Sequence, residues 1–183
     1  MSKVIKWEKS CQQAVLELLR YLLQERRVKG VFSPGKTGDQ EVISYFLYTD
    51  PKALADALPL YPLMPINSAN ALSRFSLLEA TSEPVAAVVK PCEERAFIEL
   101  VKRNQAKAEN ILLISFTCAG VYPLKEAVEG KIIEKLADYR EMRKNKEIPE
   151  DIRTVCRICE QFIPINADLT IPLVGKDTDN TCE

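Results

Sequence analysis

The sequence contains no histidine. That absence excludes Ser-His-Asp and Cys-His nucleophile machinery, histidine-ligated zinc and imidazole acid–base chemistry. Electron transfer survives the exclusion better than most enzyme chemistry, because there a cofactor carries the reaction. Long apolar runs are also missing, so no membrane span is expected. The opening Lys3, Lys6, Glu8 and Lys9 lack the apolar core of a signal peptide, and a cytoplasmic location is the expectation. Nor is there a surplus of positive charge: 25 Lys and Arg stand against 26 Asp and Glu, which argues against nucleic acid as a partner. Arg140, Arg143, Lys144 and Lys146 cluster, but Glu141 and Glu147 are interleaved, and the stretch reads as a solvated helix face.

What is present is an ordinary globular composition, 46% hydrophobic and 28% charged over 183 residues, enough for one well-buried core. Ser10 caps a predicted helix from Cys11 to about Arg27, with an apolar stripe through Ala14, Val15, Leu18, Leu19, Leu22 and Leu23. Val28 to Phe32 reads as a short strand closed by a loop, Ser33-Pro34-Gly35-Lys36-Thr37-Gly38-Asp39. The loop lacks the full phosphate-loop spacing and is expected to be a surface turn. Val42 to Tyr48 is a second strand. Asp50-Pro51 starts a helix over Ala53 to Leu58, and Asn67 or Ser68 caps another toward Leu78.

Strand 85–89 leads through Lys90-Pro91 to Cys92 and a helix from Glu93 to Gln105. Strand 111–117 leads to Cys118, and after Pro123 a charged helix runs toward Lys144. A last strand spans Leu169 to Val174. The alternation favours an α/β fold: a mixed or mostly parallel sheet with helices packed on it and a C-terminal loop carrying the C-x-x-C pair. Residues 1–80 form an N-terminal α/β segment and 81–183 a cysteine-bearing one, read together as one continuous domain.

Four of the six cysteines have ligand-like positions. Cys92 and Cys118 follow two runs apolar at nearly every residue, as expected of central strands covered on both faces. Ligands of open α/β sheets gather beyond the carboxyl ends of such strands. Parallel neighbours would leave the two exits roughly 5 to 10 Å apart. Cys156-Arg157-Ile158-Cys159 adds a pair at chelating spacing. On pattern alone, three readings stand: an iron–sulfur cluster, a zinc ion, or small buried thiols in a metal-free scaffold. Cys11, in a helix's first turn, and Cys182, in a polar stretch expected to fray, do not look like ligands.

At Lys90-Pro91-Cys92-Glu93-Glu94-Arg95-Ala96, then Phe116-Thr117-Cys118-Ala119-Gly120, then Cys156-Arg157-Ile158-Cys159 with Ala167-Asp168-Leu169-Thr170-Ile171, the sequence resembles the beta-subunit family of coenzyme F420 hydrogenase/dehydrogenase, over residues 10 to 175. The resemblance implies an oxidoreductase subunit with one [4Fe-4S] cluster and a flavin, usually FAD. Its partners would be the larger subunits of a hydrogenase, formate dehydrogenase or heterodisulfide-reductase-type complex, and some members reduce coenzyme F420. It implies Cys92, Cys118, Cys156 and Cys159 as cluster ligands. For the flavin it points to Ser10 and Gln12 at the first helix, where the family has a Gly-rich opening and this chain has none. Asn67, Ser68 and Asn70 would serve ribose or phosphate, and Lys90 and Arg95 would neutralise a diphosphate or the reduced cluster. Family members commonly continue past the Ala-Asp strand, so a fragment or a short accessory version is expected.

Overall fold

The two strands that are apolar at nearly every position lie side by side in the middle of a five-stranded sheet. The computed structural model describes residues 3–37, 40–77 and 79–183. Its elements are α1 (Cys11–Gln24), β1 (Gly30–Thr37), β2 (Gln40–Tyr48), α2 (Ser68–Phe75), β3 (Val85–Val89), α3 (Pro91–Lys102), β4 (Ile111–Phe116), α4 (Leu124–Val128), α5 (Ile132–Lys144), α6 (Thr154–Arg157) and β5 (Leu169–Ile171). The strand order is β2-β1-β3-β4-β5. β1, β3, β4 and β5 are mutually parallel, and β2 is antiparallel to β1 at one edge. The expected mixed, mostly parallel α/β sheet is therefore what the chain forms. Strands from both halves of the sequence share it.

Side chains alternate across the sheet as the pleat requires. Val31, Ala86, Val88, Ile114, Phe116 and Ile171 face α1 through Ala14, Val15, Leu19 and Leu23. Phe32, Val85, Ala87, Val89, Ile111 and Leu113 face α2 and α3 through Ala69, Leu72 and Phe97. A third cluster, with Leu63, Tyr122, Ile132, Tyr139 and Ile152 at its centre, joins α5 to the loops beyond the carboxyl ends of the strands.

Several boundaries differ from the sequence expectation, each for a local reason. The 33–39 stretch is not a turn as far as it is described: β1 continues to Thr37, while Gly38 and Asp39 lie outside the described residues. Pro34 fits there because β1 pairs with β3 only over Gly30–Phe32. Beyond that it pairs with β2 and needs no donor on its other side. The helix expected over 53–58 is a short 3-10 turn, Ala53–Asp56, because Ala57 is extended and bridges Gly35. α2 ends at Phe75, with Ser76 as its cap; Leu78 lies outside the described residues. The long charged helix is two helices, broken where Gly130 takes φ +69.

Two surface expectations are overturned. Arg143 is not solvated but 5% exposed, since it shares a face of α5 with Ile132, Leu136 and Tyr139. Cys182 is not frayed but 1% exposed; its amide and carbonyl pair with Trp7 at 3.0 and 2.8 Å.

Burial of phenols makes stability sensitive to alkali. Tyr48 and Tyr122 are 7% and 2% exposed, and burial pushes each hydroxyl up to about 12. A folded value above the unfolded value near 10 means that this stability is whole below pH 10 and is lost as pH rises through 12. Urea midpoints are expected to fall over that window, and less steeply in Tyr122→Phe, as a pH series of unfolding curves would show.

Candidate functional site

The carboxyl ends of β3 and β4 are held in register by the backbone ladder up to Val89 opposite Ser115. Two cysteines follow from there. After β3, Lys90 and Pro91 turn the chain into α3, with Pro91 at a first-turn position where no donor is needed and Cys92 next to it. After β4, Thr117 and Cys118 leave the sheet, and the Gly120 amide lies 3.3 Å from Cys118 Sγ.

The C-x-x-C pair is brought to the same place by backbone bonds. Cys118 N donates to Phe162 O at 3.0 Å, and Arg153 N donates to Val121 O at 2.9 Å. Between these anchors α6 makes a single turn, with Cys156 N bonded to Arg153 O and Cys159 N to Cys156 O. Cys92, Cys118, Cys156 and Cys159 all line one cavity of about 410 Å³, and all are free thiols. The four cysteines expected to converge line the same cavity. Among the described residues, however, no three Cys, Asp or Glu side chains already enclose a point at metal-ligand spacing.

The cavity wall suits thiolates. Lys90 is 2% exposed and lines it, together with Arg95 and Arg153. Desolvation pushes the Cys118 thiol up to about 12, while the Gly120 N–H and the Lys90 ammonium pull it down. Gly120 itself has φ +104. A Cβ there would overlap the Ile152 side chain and stand 3.1 Å from Cys156 Cβ. Gly120→Ala is therefore expected to cost about 1–3 kcal/mol in urea unfolding and to raise the alkylation rate of Cys156. Donor type, amide-to-sulfur contact and the close backbone approach all fit a thiolate-ligated cluster.

A second cavity, of about 330 Å³, opens at the start of α1. Ser10 caps that helix, its hydroxyl accepting from Gln13 N at 3.3 Å, and Ser10, Cys11 and Gln12 line the cavity. Lys36, Arg140 and Arg143 line it too, as does Asp179, 3.9 Å from Arg140. Arg143 Nη2 donates to Thr178 Oγ1 at 2.6 Å, and its buried Nε has no hydrogen-bond partner among the described residues. Three cations against one carboxylate, with a spare buried donor on Arg143, make a wall that fits an anion.

The remaining expected residues are divided. Asn67 caps α2, accepting from Ala69 N at 3.0 Å, and lines the cysteine cavity. Arg95 donates to Gln161 O at 2.7 Å from the same wall. Ser68 and Asn70 line neither cavity: Ser68 is wholly buried with its amide on Glu93, and Asn70 faces solvent. Residue-level reading missed Arg143 and Tyr139, whose hydroxyl donates to Gly120 O at 2.8 Å. The helical spacing of Ile132, Leu136, Tyr139 and Arg143 carried that signal.

Fold and cavity together define an α/β protein that gathers four cysteines beyond the carboxyl ends of the parallel strands of a mixed sheet. No family model matches the chain. It is 29% identical, over 195 residues covering 91% of this chain and 49% of the relative, to the F420-dependent formate dehydrogenase 1 subunit beta of Methanococcus maripaludis. It is 28% identical, over 184 residues covering 87% and 47%, to the F420-dependent formate dehydrogenase subunit beta of Methanocaldococcus jannaschii. The chain spans about half the length of these curated relatives. A chain of the F420-reducing [NiFe] hydrogenase complex from Methanosarcina barkeri shares the fold, with a TM-score of 0.62 at 13% identity, over 95% of this chain and 71% of that one. The resemblance carried by the cysteine motifs, to the beta-subunit family of coenzyme F420 hydrogenase/dehydrogenase, thus extends over most of the sequence.

Proposed function

We propose that this chain is the electron-transfer portion of a beta-type redox subunit, with Cys92, Cys118, Cys156 and Cys159 holding a [4Fe-4S] cluster. The observation that carries this reading is the single cavity lined by all four thiols beyond β3 and β4. Its similarity to beta subunits of F420-dependent formate dehydrogenases supports the redox role. Once bound, the cluster would supply one-electron transfer and the flavin two-electron hydride exchange, with coenzyme F420 as the donor or acceptor.

The chain's own residues bind and orient. Lys90, Arg95 and Arg153 offset the negative charge that four thiolates gather in the cavity. The Gly120 amide, already 3.3 Å from Cys118 Sγ, favours the thiolate over the thiol. Arg143, Lys36 and the start of α1 would hold the diphosphate of FAD, with Ser10 and Gln12 at its edge. Val155, just before the C-x-x-C pair, and Ile158, within it, are 67% and 76% exposed. Such apolar exposure suits docking of a larger redox subunit beside the cluster.

The test is metal, sulfide and flavin content of protein purified and reconstituted without oxygen, together with its visible spectrum. About four iron and four sulfide per chain are expected. Zinc in their place, or colourless protein with neither, would overturn the reading.

A further inference from the structure

Two cysteines lie outside that cavity and face each other. Cys11 opens α1, Cys182 lies in the segment that runs past Trp7, and each is 1% exposed in the same core layer. Their side chains interact directly, shifting the two thiols in opposite senses. Cys11 Sγ also donates to Thr181 O at 3.5 Å, the carbonyl just before Cys182. The backbone on each side is already fixed: Cys11 N donates to Thr178 O at 2.8 Å, and Trp7 and Cys182 exchange two bonds at 2.8 and 3.0 Å. Juxtaposed thiols on pinned backbone need no chain search to join.

We propose that Cys11 and Cys182 are a redox-active dithiol, which hydrogen peroxide closes to a disulfide that staples the 176–183 segment to the start of α1. The reaction balances as follows. The Cys182 sulfur attacks one peroxide oxygen, the O–O bond breaks, and the departing hydroxide leaves as water with the proton that Cys182 gives up. The Cys11 sulfur then displaces the hydroxyl from the Cys182 sulfenic acid, forming S–S and a second water that carries away the Cys11 proton. Two electrons pass from the sulfurs to peroxide. The direction of attack follows from the contact between the thiols, which holds Cys182 below the usual thiol range while Cys11 is pushed up. Peroxide reaches the pair by local opening past Asp179 and Asn180, both exposed. The staple bears on the anion cavity, because Cys11, Thr178 and Asp179 form part of its wall. The pairing does not depend on the cluster assignment.

The test uses the full chain, freed of reductant, exposed to a small excess of hydrogen peroxide, then unfolded in N-ethylmaleimide and cut with trypsin. A linked species of peptides Ser10–Arg20 and Asp177–Glu183, two hydrogens lighter than their sum and abolished by dithiothreitol, is expected. Because the closed loop holds nearly the whole chain, Tm is expected to rise by about 5–10 °C on oxidation. Cys182→Ser should lose both the link and the shift; the peptide map of the unaltered chain stands should that variant fail to fold. Recovery of both cysteines fully alkylated after peroxide, linkage of either one to a cavity cysteine, or a link without the rise in Tm would overturn the proposal.

Discussion

Cys92→Ser and Cys118→Ser are each expected to bring cluster content from about four iron per chain to below one, by different routes through the fold. Cys92 is exposed at the first turn of α3, so serine there should leave the apo protein's stability within about 0.5 kcal/mol of the parent. Cys118 is partly buried and accepts the Gly120 amide, so serine there removes a ligand and also alters the contact that sets the 118–120 turn. Iron and sulfide analysis beside urea unfolding of the apo proteins separates these effects. Unchanged iron in both variants would show that these sulfurs are not ligands.

Glu93→Ala is expected to cost about 3–5 kcal/mol, a large share of the stability of a domain this size. Glu93 is wholly buried, and its carboxylate gathers three donors: Tyr45 Oη at 2.6 Å, Ser68 N at 2.9 Å and Lys90 N at 2.9 Å. Two of these are amides at the starts of α2 and α3, so one carboxylate sits against the positive ends of both helices. Truncation would strand all three donors at once. Tyr45→Phe removes only one of those bonds and should cost about 1 kcal/mol. Urea unfolding of the two variants checks the ratio. Because Lys90 and Cys92 follow directly from this junction, Glu93→Ala should also loosen the cysteine cavity.

The legible parts of this fold are those whose signals are local. Val85–Val89 and Ile111–Phe116 are apolar on nearly every residue, which suffices to place them centrally and to set Cys92 and Cys118 at their exits. The C-x-x-C pair was legible by spacing, and the helix capped by Ser10 by its stripe. What escaped depends on pairing between distant segments. Pro34 and Gly35 look like a turn until β2 lies beside them. Arg143 looks solvated until Thr178 is seen to cover it, and Cys182 looks frayed until Trp7 pairs with it. The cavity at the start of α1 was legible only at Ser10 and Gln12, since Lys36 and Arg143 come to it from separate parts of the chain. Ser68 and Asn70 look like ligand groups because a helix start offers polar side chains and free amides. Ser68's own amide is instead taken by Glu93, from a helix far along the chain.

The pleated sheet also works as an insulating wall. Leu19 and Leu72, each without exposed surface, belong to separate apolar clusters on opposite sides of it. Damage to one layer is therefore confined to that side, and paired substitutions across the wall add rather than compound. Sequence drift at Leu19 can then proceed with little effect on α3, whereas Phe116, in the same layer but 6.0 Å from the Lys90 ammonium, links that layer to the turn that carries Cys92.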